Sequence, residues 1–406
     1  MLDYISLSSL MYALSGFAVF FFVFWCSMWL IHITAIFYGK YKLHRKVPLL
    51  PQEMPYPGVT IIKPLTGVDP NLYSNLETFF TMSYPKYEIC FCVEDDMDPA
   101  VPLVEKLCKK YPNVDTSVFI GGQVVGVNPK INNMQPGIKA AKHDLILISD
   151  SGIRMKEDTL LDMVNHMKPD VGLVHQMPFT SDRKGFAAAL EKTYFGTAQA
   201  RIYLVANFLQ TPCHTGMSTL TRKSIFDDMG GLKTFGCYLA EDFFFARSVS
   251  EQGWKITISG QPAWQNSGYC DVISFRNRLS RWVKLRIAMA PFTLVCEPLS
   301  ECLILGACAS WAASFLFQID PAVFYLVHIL AWFLLDAILI SIVQNGSLPF
   351  SKFHFIVCWL FREVLGPWIF FTSIWDPAIK WRTRTYKLRW GGIAEPAEEC
   401  KEYIQV

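Results

Sequence analysis

Residues 10–38 contain no Asp, Glu, Lys or Arg. A helix needs about 20 apolar residues to cross the hydrocarbon core of a bilayer, so this run is long enough to span with some tilt. The residues before it carry Asp3 and no lysine or arginine, unlike the basic start of a cleavable signal peptide. Lys40, Lys42, Arg45 and Lys46 follow it, and by the positive-inside rule what comes next faces the cytosol. The pattern predicts an uncleaved anchor over residues 1–40. From about Pro291 the chain turns apolar again. Residues 302–318 are uncharged, 322–335 are apolar, and 353–375 are apolar apart from Arg362 and Glu363. Two or three membrane-embedded helices are expected within 291–376. The tail, 377–406, holds Lys380, Arg382, Arg384, Lys387 and Arg389, which suggests a cytosolic end. One anchor plus three full crossings would put that tail opposite the central domain. Either one segment fails to cross or the tail breaks the charge rule.

Between the apolar blocks the period changes. After a Pro-rich linker over 48–57, residues 59–62, 87–93, 114–120 and 144–149 read as strands, and 71–80 and 98–111 as helices. This alternation predicts an α/β domain over 41–290 with a mostly parallel sheet covered by helices on both faces. In such sheets ligands bind beyond the carboxyl ends of the strands. Asp95 and Asp150 each fall just past such an end. The run 202–209, with Arg201 at its edge, suits either an interfacial helix near a lipid or a core helix of the domain.

Composition sharpens the class. The chain is 52% hydrophobic and only 18% charged, whereas soluble domains average roughly a quarter charged. An integral membrane protein follows. A net charge of +2 lacks the basic surplus that phosphate-backbone binding needs, which excludes nucleic acid as the main partner. Twelve cysteines without a Cys-x-x-Cys pair, two of them alternating in a strand at 90 and 92, read as buried reduced thiols rather than a disulfide framework.

Three acids and one basic cluster carry candidate chemistry. Asp95, in Glu94-Asp95-Asp96, could accept the imide N–H of a uracil ring, or cap the helix behind it. Asp150, in Ser149-Asp150-Ser151-Gly152, is placed to hold Mg²⁺ or Mn²⁺ against phosphate oxygens, although Asp-Ser-Gly also suits a plain β-turn. Asp242, beside Glu241 and Phe243, is a candidate general base, or an acid complementing a helix dipole. Arg278, Arg281 and Trp282 share one helix face, where two guanidinium forks could grip a diphosphate and the indole could wall a sugar pocket. The same face could lie on anionic headgroups. Lys130 could meet phosphate or sit solvated in a loop. No zinc-type histidine spacing and no glycine-rich phosphate loop occur.

Taken in order, these positions resemble the three-aspartate plus (Gln/Arg)-x-x-Arg-Trp signature of membrane glycosyltransferases. More narrowly, the chain resembles the ceramide glucosyltransferases of glycosyltransferase family 21. The likeness rests on residues 63–72, on Asn128-Pro129-Lys130-Ile131-Asn132-Asn133, on Asp150-Ser151-Gly152-Ile153-Arg154, on Ala240-Glu241-Asp242 and on the arginine–tryptophan run. It implies a GT-A catalytic domain, UDP-glucose as donor, ceramide as acceptor, and the cytosolic face of the Golgi membrane. By resemblance, Asp95 meets the nucleotide, Asp150 the metal–diphosphate region, Asp242 deprotonates the ceramide primary hydroxyl, and Arg278, Arg281 and Trp282 clamp the diphosphate and acceptor side. Gly152 stands where related synthases carry the second Asp of Asp-x-Asp, so one metal ligand is absent from the motif. Two other classes fit parts of the pattern: a processive polysaccharide synthase, which would need a tunnel through more helices, and a polytopic transporter or scaffold using Asp336, Arg362 and Glu363.

Overall fold

The structure, a computed structural model, describes residues 2–48, 55–376, 378–381 and 384–397, with side chains from residue 9 onward. The middle of the Pro-rich linker, Arg382 and the tail beyond 397 lie outside the described residues. Ten strands build the central domain: β1 Val59–Leu65, β2 Tyr87–Val93, β3 Asp115–Ile120, β4 Leu145–Ser149, β5 Ile153–Arg154, β6 Val171–His175, β7 Pro178–Thr180, β8 Ser218–Arg222, β9 Lys255–Ile258 and β10 Ala263–Gln265. Seven of them form one sheet in the order β3-β2-β1-β4-β8-β6-β9, and β5-β10-β7 form a small second one. The large sheet is parallel except for β8, which runs against both β4 and β6.

Alternation along β1 and β2 explains the two cores. Val59, Ile61, Ile89 and Phe91 point to one face and bury against Leu76, Phe79, Val104 and Leu107. Ile62, Cys90 and Cys92 point to the other, against Ile131, Met134 and Phe245. Successive strand side chains face opposite ways, so both faces must be apolar when both are covered by helices. β1 continues to Leu65, three residues past the expected end, because Lys63 and Pro64 interrupt the apolar run without breaking the pairing to β2.

The N-terminal helix, Leu2–Lys42, has 41 residues, about 60 Å at 1.5 Å per residue. Its end is seated on the domain. Tyr38 Oη donates to Asn207 Oδ1 at 2.7 Å, and the His44 N–H donates to Gly260 O at 2.8 Å. The 202–209 run lies in the helix Ala200–Phe208, whose Tyr203, Leu204 and Val205 are core while Ile202 and Phe208 are exposed. Leu204 packs on Gly39 of the N-terminal helix, so this core helix also docks the anchor.

Three apolar helices follow the domain: Cys302–Phe317, Pro321–Gln344 and Lys352–Trp375, the first preceded by Thr293–Leu299 at an angle of 86°. Among the described residues three helices are long and apolar enough to cross a membrane, or four if the bent pair counts as one span. Charges within them converge. Asp336 lies 3.3 Å from His32, 3.6 Å from Arg201 and 3.1 Å from Arg362, and accepts from Trp359 Nε1 at 2.8 Å. Arg362 also pairs with Glu363 and Thr197. The cluster thus ties the anchor, two later helices and the domain together.

The last helix packs along the domain, Phe361 meeting Phe186 with ring centroids 5.4 Å apart, and ends on it. Gln344, the last residue of the helix before it, accepts from Lys192 Nζ at 2.8 Å. Near its far end, Ser373 bonds Ser280 at 2.8 Å and Asp376 pairs with Lys284 at 3.1 Å. The tail then forms a third sheet, β11 Ile379–Trp381, β12 Arg384–Leu388 and β13 Ala394–Pro396. Its backbone joins the domain through Gly391 N–H to Ala288 O and Ala394 N–H to Cys237 O, both 2.9 Å. The tail therefore sits on the same side as the domain. The third segment is the one that does not need to cross.

Candidate active site

The carboxyl ends of β1, β2 and β4 share one edge with the start of β8, because β8 is reversed. Asp150 leaves β4 there, its N–H donating to Met217 O at 2.9 Å. Asp95 lies two residues past β2 in an exposed turn, its Oδ1 accepting the Met97 N–H at 2.9 Å. β1 lies between those strands, so the two strand ends are about 10 Å apart, twice the inter-strand spacing.

Asn128 caps the helix Pro129–Lys139 by accepting the N–H groups of Lys130 and Ile131, with Pro129 at the first helical position. That cap fixes Lys130 in the first turn. Its ammonium lies 2.9 Å from Asp150 Oδ1 and 3.4 Å from Glu241 Oε1, and donates to Gly216 O at 3.2 Å. Asn128 Nδ2 holds the other Glu241 oxygen at 2.9 Å. One cation therefore joins the second and third acidic motifs. Burial works against its charge, but the Asp150 and Glu241 carboxylates outweigh it and keep the lysine protonated well above the usual range. Burial pushes Glu241 up, opposed by Lys130 and reinforced by Asp242.

Asp242 stands in the first turn of the helix Glu241–Glu251. Its Oδ2 accepts the Gly216 N–H at 2.6 Å and its Oδ1 the Phe243 N–H at 2.8 Å. Position 216 is tight for a side chain, since a Cβ would lie 3.0 Å from Asp242 Cβ and would press on that carboxylate. His214 supports the same loop, with Nδ1 3.1 Å from the Asp242 carbonyl and Nε2 2.6 Å from Thr219 Oγ1. A carbonyl only accepts, so Nδ1 carries the proton. Burial lowers the His214 pKa, which favours that neutral form.

Arg281 and Arg278 part company on the helix Val272–Met289. Burial and the nearby Arg278 lower the Arg281 pKa, while Glu241, Asp242 and Asp150 all pull it up; its guanidinium stands over the Trp381 ring, 5.6 Å from the centroid. Arg278 is instead held by Glu191 at 3.0 Å and Gln265 at 3.2 Å, among the rings of Phe195, Phe275 and Trp282. Trp282 is half-buried where the sheet core, the membrane-side core and the tail cluster meet.

Two contributors have no role in the sequence reading. Lys63 is fully buried under the site, donating to Asp150 O at 2.7 Å over the Phe79 ring, and burial lowers its pKa to about 7. A lysine inside an otherwise apolar strand was the available signal. The tail sheet is the other: Ile379, Tyr386 and Ala394 bury against Leu239, Ala240 and Leu285, immediately before Asp242 and on the Arg281 helix. Among the described residues no group of three or more His, Cys, Asp or Glu is arranged to hold a metal ion. The donors do suit a hard divalent cation that takes one or two carboxylates and completes its shell with phosphate oxygens and water. Asp150, whose side chain is about 39% exposed, is the carboxylate that would hold it.

A parallel-rich sheet with one reversed strand, and acids gathered at its carboxyl edge, has the architecture of a GT-A-type glycosyltransferase. The fold matches that of a mannosyltransferase, PcManGT from Pyrobaculum calidifontis, solved in complex with GDP-Man and Mn²⁺. The TM-score is 0.51 at 16% identity, over 89% of this chain and 99% of that one. The family model described as glycosyl transferase family 21 matches residues 27–394. Ceramide glucosyltransferase 3 of Caenorhabditis elegans is 46% identical over 92% of this chain and 82% of its own length. Ceramide glucosyltransferase 1 of the same organism is 44% identical over 90% and 78%. A ceramide glucosyltransferase of Komagataella phaffii is 26% identical over 89% of each chain. The chain belongs to glycosyl transferase family 21.

Proposed function

We propose that the protein transfers glucose from UDP-glucose to the primary hydroxyl of ceramide, with inversion, at the cytosolic face of the Golgi membrane. The observation that carries this reading is the meeting of Asp150, Lys130, Glu241 and Asp242 at one sheet edge, on a domain seated on apolar helices. The family membership and the ceramide glucosyltransferase relatives support the substrates. A lipid with two acyl chains stays in the bilayer because each buried CH₂ contributes about 0.8 kcal/mol, so the base must come to the headgroup plane.

In this reading Asp95 accepts the uracil imide, and Lys130 and Arg281 face the diphosphate. Asp242 takes the hydroxyl proton as the acceptor oxygen attacks the anomeric carbon, and the bond to the diphosphate breaks to release UDP. Gly216 and His214 hold the Asp242 loop in register for that transfer. Arg278 acts through Trp282 and the shape of the pocket wall. Mg²⁺ or Mn²⁺ at Asp150 would supply additional charge neutralisation at the leaving group. The test incubates purified protein in liposomes with labelled UDP-glucose and ceramide. Label should enter a single-sugar lipid; a polymer, or no lipid-bound label from UDP-glucose, would overturn the assignment.

A further inference from the structure

We propose that the groove between the domain-side ends of the helices Leu2–Lys42 and Pro321–Gln344 is a binding site for an anionic phospholipid. The groove encloses about 710 Å³. Its walls are apolar, from Leu43, Leu334, Ala337, Ile338 and Ile342, while Lys40, His44 and Arg45 stand at its mouth. None of the candidate active-site residues lines it.

Depth and charge together select the occupant. The mouth lies where the helices meet the domain, since the His44 N–H donates to Gly260 O at 2.8 Å and His44 Nε2 bonds Val343 O at 2.9 Å. Basic residues flanking an apolar helix sit at headgroup depth, here beside an apolar trough. His44 spends its ring N–H on that carbonyl and burial lowers its pKa, so the positive charge at the mouth comes from Lys40 and Arg45. Arg45 is oriented by its Nε–H bond to Tyr41 O at 2.6 Å, with its guanidinium over the Tyr41 ring. Among the described residues no carboxylate pairs with Lys40 or Arg45, so both charges are free to meet an anion. Cations left without an acid, at the end of a trough between two membrane helices, match a lipid phosphate above its acyl chain. A ceramide-class lipid carries no charge and would leave both unanswered. The groove contains none of the candidate active-site residues, so the proposal does not depend on the reaction proposed above.

The test places the full-length protein in nanodiscs of phosphatidylcholine with phosphatidylserine and measures, by native mass spectrometry, which lipid stays bound on release. Wild type should retain phosphatidylserine severalfold over phosphatidylcholine. Ser341→Trp fills the trough and leaves every charge in place; Lys40→Gln with Arg45→Gln removes the charges and leaves the trough. Both should abolish the preference, with sugar transfer in phosphatidylcholine alone reporting that each variant is folded. Equal retention of the two lipids by wild type would overturn the proposal. So would a preference that survives Ser341→Trp, because charge alone would then account for it, or capture of an uncharged sphingolipid in the anionic lipid's place.

Discussion

Asp242 already spends one lone pair of each carboxylate oxygen on a backbone N–H, which fixes its orientation without using its capacity to take a proton. If it is the base, Asp242→Asn keeps the shape and loses the proton acceptor. Transfer should fall by about 10² to 10⁴-fold while UDP-glucose affinity, read by titration calorimetry, stays unchanged. Near-normal turnover would remove Asp242 from that role. Arg281 feels the charges of Glu241, Asp242 and Asp150, whereas Arg278 is paired with Glu191. Arg281→Lys replaces a planar fork by a point charge, and should weaken UDP binding by about tenfold, the loss expected from one charged hydrogen bond. Unchanged affinity would argue against a diphosphate contact. Lys63 gives a pH signature. Its folded-state pKa is about 7, below the value near 10.4 of a free lysine. Between those values the unfolded chain binds more protons, so this group makes the fold more stable as pH rises. The melting temperature should climb more steeply from pH 7 to pH 10 in wild type than in Lys63→Met, and parallel profiles would refute it. That Lys63 lies beneath Asp150 was not legible in the chain, because its neighbour is set by the pairing of β1 with β4 rather than by anything local.

Strands β1 to β4 were legible, because β-branched and apolar runs bounded by turns need no tertiary information. The reversal of β8 was not, since direction is decided by which strand it pairs with, and that reversal brings Gly216 to Asp242. The tail strands were misread as a basic tail. Ile379 and Tyr386 bury while their neighbours Lys380 and Lys387 stay exposed, but three to five residues are too few to separate that period from chance. Tyr386 is about 1% exposed in the cluster that abuts Asp242 and the Arg281 helix. Tyr386→Ala should cost about 3–5 kcal/mol, as for other buried aromatics. It should lower both melting temperature and kcat while leaving the KM for the nucleotide sugar nearly constant. A purely nucleotide-binding defect would point to a different role for the tail.

Across the whole molecule, the sides of the membrane follow from contacts. The end of Pro321–Gln344, the middle and far end of Lys352–Trp375, and the tail sheet all touch the domain, an arrangement accounted for if Cys302–Phe317 leaves the domain side and Pro321–Gln344 returns. In sealed vesicles, a tag at the C-terminus and a protease site introduced at the exposed Val124 turn should be accessible from the same side. Opposite accessibility would require three crossings after the domain and would contradict the packing of β13 on Cys237. Asp336, Arg362 and Glu363 pair with one another and with the anchor's His32, which joins the helices, while Arg362 Nε and Glu363 Oε2 are buried without a hydrogen bond. Leaving any of these charges alone in a low-dielectric interior would be strongly unfavourable.

By itself the chain determined the anchor, the apolar C-terminal block, the α/β alternation and the family, because hydropathy and motif order are properties of neighbouring residues. Tertiary structure alone decided that Lys130 bridges two acidic motifs, that Arg278 is taken up by Glu191, and that the tail returns to brace the site. Those outcomes depend on which distant segments share an edge, and no local pattern encodes that distance.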